Sequence, residues 1–302
     1  MTCKHCHTKL GYWFSSMHRR GFLMCAAMAF AGPPLPAIAQ GLGPIGAGVT
    51  IKDTWFHHQN LRQRLWIVTP SGSGPFPAIV WCHGSGVSLT ADNNLVDWSA
   101  APQVQGDGLA WRSWSDASKV ILIIPECRGY GGSDGEKPIE AFQDSERTVA
   151  FLHARTDDTV AATAVALQEY GLDPHRIAIA GASHGAVVAL LASARHRYAG
   201  TVLQAPGASY RRSDIGMQPM RTAAAEGHEP MLIQHLLTDT LAPIVVSRSI
   251  HEAAVGANRP CTLREYPGTP GIEGHELFAR ENRAQWTADF SEFMSSRFAS
   301  VR

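Results

Sequence analysis

The chain has 302 residues, of which 45% are apolar and 17% are charged. These proportions are typical of folded globular proteins and exclude a disordered or fibrous chain. Basic and acidic side chains number 26 each, so the protein has no overall positive charge with which to attract nucleic acid.

Charge is unevenly distributed at the N-terminus. Residues 1–39 contain four basic side chains and no acidic one, which leaves 22 basic and 26 acidic side chains, a formal charge of −4, on residues 40–302. This second part is long enough for one large α/β domain and short for two. We therefore predict a single catalytic domain over residues 40–302.

Residues 1–39 have the organisation of a cleavable export signal. Arg19 and Arg20 precede an apolar run of about a dozen residues that ends at Ala31, too short to span a bilayer of about 30 Å as a helix. Three prolines and the small-residue segment 37–39 follow, which predicts cleavage before Gln40. The expected location of the protein is therefore the periplasm or the exterior, with no stable membrane insertion after cleavage.

The arginine pair before Phe-Leu resembles a twin-arginine signal, although His18 stands where that pattern usually has Ser or Thr. A general secretory signal and a retained membrane anchor are the alternatives. Met17 is a second candidate for the start of translation besides Met1, because the segment from Met17 alone has a normal charged beginning.

The cysteines do not form a disulfide framework. Residues 3–7 match the haem-attachment pattern C-x-x-C-H, but they precede the signal and would be removed with it. Three cysteines then remain, Cys82, Cys127 and Cys261, which are too few to stabilise the fold through a set of disulfide bonds. Buried free thiols are expected, and a Cys82–Cys127 bridge is the alternative.

Predicted strands and helices alternate along the rest of the chain. Short continuous apolar runs, typical of strands buried on both faces, predict most of the sheet. Predicted strands cover residues 49–56, 62–68, 77–82, 120–124, 176–180, 201–205, 231–236 and 262–266. Predicted helices cover residues 158–170, 186–194 and 279–298. The first two strands are predicted to form an antiparallel pair, and the alternation predicts an α/β fold with a mostly parallel sheet.

The sequence Gly181-Ala182-Ser183-His184-Gly185 lies directly between a predicted strand and a predicted apolar helix. This strand–turn–helix context is typical of a nucleophile elbow, in which a sharp turn exposes the serine hydroxyl. The small residues at 181 and 185 allow neighbouring backbone to approach the turn. Ser183 is therefore the candidate nucleophile.

A serine nucleophile needs a base and an acid that orients the base. Asp239 follows the predicted strand 231–236, and His275 follows the next strand, before the last helix. Their order and placement predict Asp239 as the acid and His275 as the base, with Glu273 as an alternative acid. His235 lies inside a predicted strand and is expected to be structural.

Two backbone N–H groups are needed to bind the oxyanion. His184 follows the nucleophile and is the first expected donor. Ser85, in the loop after the strand 77–82, is the second, with Gly86 as the alternative. Arg128 lies in another glycine-rich loop and is expected to form a structural ion pair.

These motifs together resemble the α/β-hydrolases, and more narrowly the branch of dienelactone hydrolases and prolyl-oligopeptidase-like enzymes. The resemblance rests on PAIVWCHGSG, RGYGGS, LDPHRIAIAGASHG, Asp239 with Pro243, and YPG followed by GHE, over residues 77–278. It implies an eight-stranded sheet with helices on both faces and a triad of Ser183, Asp239 and His275.

The sequence departs from both groups of that branch. Dienelactone hydrolases carry a cysteine nucleophile where this chain has Ser183, so their substrate is not implied. Prolyl oligopeptidases carry a propeller domain, whereas about 37 residues lie between Gln40 and the first central strand. The prediction is therefore a serine carboxylesterase. A peptidase or amidase is the first alternative, and a non-catalytic binding module is the second.

Substrate preference is only coarsely predicted. The 24 residues of segment 206–229 are too few for a large lid, so the expected lid is minimal and the expected substrate a small-molecule acyl compound. The polar insertion 87–105 is the segment that could overhang the site. No metal-ligand cluster or phosphate-binding loop is found in the sequence, so no cofactor is expected. The sequence leaves the oligomeric state open.

Overall fold

The computed structural model describes residues 49–89, 95–97, 99–100, 115, 117–170, 172–207 and 215–299. The predicted export signal, residues 1–39, lies outside these ranges. Ten strands are found in the described chain: β1 (Thr50–His58), β2 (Leu61–Thr69), β3 (Ala78–Cys82), β4 (Val87–Leu89), β5 (Leu95–Asp97), β6 (Ile121–Glu126), β7 (Ile177–Ala182), β8 (Thr201–Gln204), β9 (Met231–Leu236) and β10 (Cys261–Tyr266).

Eight of these strands form one sheet in the order β1-β2-β6-β3-β7-β8-β9-β10. β1 and β2 pair antiparallel to each other, β2 pairs antiparallel to β6, and the remaining neighbours are parallel. The predicted α/β fold and the predicted antiparallel pair at the start are confirmed. β4 and β5 form a separate small hairpin within the polar insertion.

The strand order changes direction beside β3. The chain passes from β3 to β6 on one side, and then places β7, β8, β9 and β10 in succession on the other. The connections that follow β3 and β7 therefore lead from the carboxyl edge toward opposite ends of the sheet. Open α/β sheets bind their ligands at such a switch point.

Burial explains why the central segments are strands. Every residue of β3, β6, β7 and β9 is buried, as expected for strands covered by helices on both faces. The strand at the far edge, β10, instead alternates between exposed and partly buried residues over most of its length.

Six α-helices are found in the described ranges: α1 (Pro138–Ala141), α2 (Ser145–Glu169), α3 (His184–Ser193), α4 (Gln218–Glu226), α5 (Ile244–Gly256) and α6 (Arg280–Ala299). α2 to α5 pack in the core on one face of the sheet, and α6 packs on the other face through Trp286, Phe290 and Met294. None of the helices described is both long and apolar enough to cross a membrane.

The prediction for α2 was wrong at its N-terminus. The sequence predicts a helix that begins at Asp158, whereas α2 begins at Ser145, after Asp144 caps it by accepting a hydrogen bond from the Arg147 N–H at 2.8 Å. Its buried face carries polar side chains such as Arg155, so an apolar periodicity is missing from the first half of the helix.

Two of the predicted structural roles are confirmed. Cys82 and Cys127 are free and buried, so they are not bridged, whereas Cys261 is free but only partly buried, contrary to the prediction. Arg128 forms a bidentate ion pair with the fully buried carboxylate of Asp158, with both N–O distances at 2.8 Å. The segment between β8 and β9 carries α4, and its residues 208–214 lie outside the described ranges.

Candidate active site

The turn between β7 and α3 places Ser183 in a strained conformation, with φ +55° and ψ −124°. Non-glycine residues rarely adopt a positive φ, and strain of this kind is concentrated at functional sites. Close packing enforces the turn. A Cβ atom at Gly181 would lie 2.3 Å from the Gly185 carbonyl oxygen, and one at Gly185 would lie 2.1 Å from the Cys82 carbonyl oxygen.

Three side chains that are far apart in the sequence meet at this turn. His275 Nε2 lies 2.8 Å from Ser183 Oγ, and His275 Nδ1 lies 2.8 Å from Asp239 Oδ2. They meet because the loops after β7, β9 and β10 all leave the carboxyl edge of the sheet. An ionised Asp239 can only accept hydrogen bonds, so Nδ1 donates to it and Nε2 is left to accept from the Ser183 hydroxyl.

The Asp239 carboxylate is fully buried, and its second oxygen is also occupied. Oδ1 accepts from the backbone N–H groups of Leu241 and Ala242 at 2.9 and 2.8 Å. Burial acts to raise the pKa of Asp239, but hydrogen bonds from His275 and these two N–H groups outweigh it, so that the pKa lies below its usual value. The carboxylate is therefore ionised at neutral pH.

The alternative acid, Glu273, does not reach the imidazole of His275. Its carboxylate accepts from the backbone N–H and the hydroxyl of Thr240 at 2.7 and 2.6 Å. Its contact with His275 is to the backbone N–H, at 3.3 Å. Glu273 therefore connects the two loops, while Asp239 contacts the imidazole.

A second histidine lies behind the acid. His235 is buried in β9, with Nδ1 2.9 Å from Ser247 Oγ and Nε2 3.9 Å from Asp239 Oδ2. Burial lowers the pKa of His235, so the ring is neutral at pH 7. The sequence indicates a structural histidine at this position but does not reveal its proximity to Asp239.

The loop after β3 runs beside the elbow. A Cβ atom placed on Gly84 would lie 4.0 Å from Ser183 Cβ, so the next residue, Ser85, is close to the serine. The side chain of His184 points into the protein, where Nδ1 lies 2.6 Å from the Arg155 guanidinium. Sequence reasoning missed Arg155, because nothing in the sequence near it indicates a buried cation. Within the described ranges, no group of three or more His, Cys, Asp or Glu side chains is placed to hold a metal ion.

Comparison with solved structures finds the same fold in several hydrolases. Acylaminoacyl peptidase of Pyrococcus horikoshii has a TM-score of 0.60 at 16% identity, over 86% of this chain and 42% of that chain. A putative dienelactone hydrolase of Klebsiella pneumoniae has a TM-score of 0.59 at 16% identity, over 84% of this chain and all of that chain. The esterase Est22 has a TM-score of 0.57 at 18% identity, over 82% of this chain and 81% of that chain. This chain therefore spans less than half the length of the peptidase that it matches.

Comparison of sequences gives the same family. The chain is 25% identical over 256 residues to an uncharacterized protein of Mycobacterium tuberculosis, which covers 80% of this chain and 76% of that protein. A model of the alpha/beta hydrolase family matches residues 79–298, well over half of the chain. Together with the dienelactone hydrolase-like fold, this match shows that the chain belongs to the α/β-hydrolase family.

Proposed function

We propose that the protein is a serine hydrolase that cleaves carboxylic esters through an acyl-enzyme. The observation that carries the proposal is the chain of two 2.8 Å hydrogen bonds from Ser183 through His275 to the buried Asp239. It lies on a strained elbow at the switch point of the sheet, where a substrate carbonyl can approach the serine hydroxyl.

In the proposed mechanism, Ser183 Oγ attacks the ester carbonyl while its proton passes to His275 Nε2. The tetrahedral intermediate collapses, and the leaving alkoxide takes this proton as its bond to carbon breaks. Water then gives a proton to the same nitrogen and attacks the acyl-enzyme, which releases the acid and restores the serine. Ionised Asp239 stabilises the imidazolium at each stage, and the backbone N–H groups of Ser85 and His184 bind the oxyanion.

Two comparisons favour an ester over an amide as substrate. The esterase and the dienelactone hydrolase match this chain over 81% and 100% of their own lengths, whereas the acylaminoacyl peptidase matches over 42%. The second candidate function is peptide or amide hydrolysis. It is favoured by the TM-scores of 0.60 to the acylaminoacyl peptidase and to dipeptidyl peptidase 4 of Porphyromonas gingivalis.

Kinetics with matched substrates test the proposal. We expect hydrolysis of p-nitrophenyl acetate and butyrate, and a loss of at least about 10³-fold in kcat for Ser183→Ala and for His275→Ala, because the triad acts as a unit. Ser296→Ala, at the surface of α6, is the control. Retention of more than about a tenth of wild-type activity in either variant would contradict the assignment. Faster cleavage of aminoacyl p-nitroanilides than of the matched esters would favour the peptidase. No cleavage of either by folded protein would favour a binding module.

We also propose that the protein is exported by the twin-arginine route and cleaved before Gln40. The support is the order of features in residues 1–39, which lie outside the described structure. Replacement of Arg19 and Arg20 by lysine keeps the charge, and should block twin-arginine export but not general secretion. N-terminal sequencing of the exported protein should begin at or near Gln40. An N-terminus at Met1 or Met17 would contradict cleavage.

A further inference from the structure

Three successive carbonyl groups of the loop after β3 each accept a hydrogen bond from a buried side chain. Arg155 Nη2 donates to the His83 carbonyl at 3.2 Å, and His83 Nδ1 lies 2.8 Å from the Gly84 carbonyl oxygen. The Tyr130 hydroxyl donates to the Ser85 carbonyl at 2.8 Å. Arg155, His83 and Tyr130 are each 1% exposed or less, so the donor side chain of each bond is shielded from water.

These three bonds fix the directions of the backbone N–H groups as well. In a planar trans peptide the C=O and the N–H point in opposite directions. Because the Gly84 carbonyl points toward the His83 ring, the Ser85 N–H points away from the buried cluster. A Cβ atom built on Gly84 would come within 4.0 Å of Ser183 Cβ, so this backbone runs beside the elbow. The hydrogen bond from Tyr130 to the Ser85 carbonyl fixes the orientation of the next peptide in the same way. It therefore sets the direction of the Gly86 N–H, the alternative oxyanion donor.

The same guanidinium also reaches the elbow. Arg155 Nη1 lies 2.6 Å from His184 Nδ1, and the guanidinium carbon lies 4.6 Å from the centre of the Tyr130 ring. His184 carries the other expected oxyanion donor. One buried side chain therefore contacts both segments that supply the N–H groups.

We propose that Arg155 and Tyr130 are positioning residues that hold the two segments supplying the oxyanion N–H groups, the loop after β3 and the elbow, in a fixed relation to each other. The inference rests on the proposed function, since it assigns a role to groups around the same site. Neither side chain touches the substrate. Donors that are aligned before the reaction stabilise the oxyanion without reorganisation, and in many hydrolytic enzymes this stabilisation contributes more to the rate than any other effect. The competing interpretation is that the cluster only fills the core between α2 and the elbow.

Tyr130→Phe separates these interpretations, because it removes one hydroxyl and keeps the ring against Arg155. Loss of a whole oxyanion donor costs about 10²–10³ in kcat, so misalignment of one donor should cost about tenfold. We expect kcat for p-nitrophenyl butyrate to fall by about that factor with KM within about twofold. The inhibition constant of an alkyl trifluoromethyl ketone, which forms a hemiketal oxyanion on the serine, should weaken by the same factor.

Tyr198→Phe is the matched control. Tyr198 is also buried, and its hydroxyl lies 3.3 Å from Thr163 Oγ1 on α2. It should lose similar stability, with kcat and the inhibition constant unchanged. Arg155→Lys should lower kcat more than Tyr130→Phe, because an ammonium group cannot contact both segments. The Tyr130 variant decides the outcome if the Arg155 variant does not fold.

Three results would overturn the inference: wild-type kcat in folded Tyr130→Phe, a lower kcat with unchanged inhibitor affinity, or an equal loss of kcat in Tyr198→Phe. Ser183→Ala distinguishes failure of this inference from failure of the proposed function. An inactive Ser183→Ala together with a fully active Tyr130→Phe would refute only the positioning role. An active Ser183→Ala would refute the proposed function itself.

Discussion

Substitution of Asp239 by Asn should inactivate the enzyme by changing the tautomer of His275. The Asp239 Oδ1 atom accepts two backbone N–H groups, and an amide nitrogen cannot accept a hydrogen bond. The amide oxygen of Asn must therefore take the place of Oδ1, which leaves its NH₂ group facing His275 Nδ1. Nδ1 then becomes an acceptor, the proton moves to Nε2, and Nε2 can no longer accept the proton of Ser183.

The size of the loss depends on how strongly the Asn amide prefers this orientation. The opposite orientation, with the NH₂ group facing the two backbone N–H groups, would lose hydrogen bonds. That orientation would keep the catalytic tautomer, but it would break both backbone bonds, at about 1 kcal/mol each. A difference of about 2 kcal/mol favours the inactive tautomer by about 30-fold. The Asn side chain also cannot stabilise the imidazolium as a carboxylate does. We therefore expect kcat to fall by more than the 30-fold that the tautomer alone imposes, toward the loss of about 10⁴-fold known for this substitution in a serine protease.

Ester hydrolysis by Asp239→Asn and by Glu273→Gln provides the test. Glu273 bonds to Thr240 and not to the imidazole, so Glu273→Gln should keep kcat within about threefold of wild type. Circular dichroism should show that both variants are folded. If Asp239→Asn kept more than a tenth of kcat while Glu273→Gln lost its activity, Glu273 would be the acid and the reasoning would be refuted.

The lowered pKa of Asp239 also predicts how the stabilities of wild type and Asp239→Asn differ at acid pH. A carboxyl group whose pKa is lower in the folded state stabilises the fold above its ordinary pKa of 3.8, and this stabilisation is lost as pH falls through the folded-state pKa. The difference in free energy of unfolding between wild type and Asp239→Asn should shrink as pH falls below about 4. A difference that grew as pH fell below about 4 would contradict the assigned direction of the pKa shift.

Three further predictions concern stability and reactivity. Gly185→Ala should lower the free energy of unfolding, measured with urea, by at least about 3 kcal/mol, because the new Cβ atom would overlap a backbone oxygen. Gly256 has open space around it, so Gly256→Ala should change the free energy of unfolding by less than about 1 kcal/mol. Arg128→Met should cost about 3–5 kcal/mol, because it leaves a buried carboxylate without its ion pair, and Arg195→Met, at an exposed ion pair, should cost less than about 1. Equal losses of stability in the two glycine variants would refute the packing argument, and equal losses in the two arginine variants would refute the burial argument. Burial raises the pKa of the Cys82 thiol to about 12 and that of the Cys127 thiol to about 11, so iodoacetamide at pH 8 should leave both unmodified in native protein and alkylate both in urea; rapid native labelling would contradict their burial.

The elbow could be predicted from sequence because its signal is local. The apolar run of β7, the two glycines and the apolar helix after Ser183 are consecutive, and each meets a requirement of the same turn. Asp239 and His275 could also be predicted, because each directly follows a strand and parallel strands end at one edge. The sequence already favoured Asp239 over Glu273, and the coordinates add the contacts that distinguish the two carboxyl groups, since Asp239 reaches the imidazole and Glu273 bonds to Thr240.

Other elements were missed where polar residues face the core or apolar residues face solvent. α2 buries Thr148 and Arg155 in its first half, where an apolar stripe would be expected, so its beginning was assigned 13 residues too late. No bounds were predicted for α5, because Val245 and Val255 are about half exposed, which obscures its periodicity. The buried cluster around Arg155 depends on partners 25 to 72 residues away, and spacing in the sequence cannot reveal such contacts.

Covalent labelling tests most directly the central claim that Ser183 is an activated nucleophile. A fluorophosphonate phosphonylates a serine only when a base takes its proton, and the adduct can be located by peptide mass spectrometry. We predict one adduct per folded chain, on Ser183, with none on Ser183→Ala and much slower formation on His275→Ala. Folded, ester-hydrolysing protein with no adduct, or with its adduct on another residue, would contradict this claim.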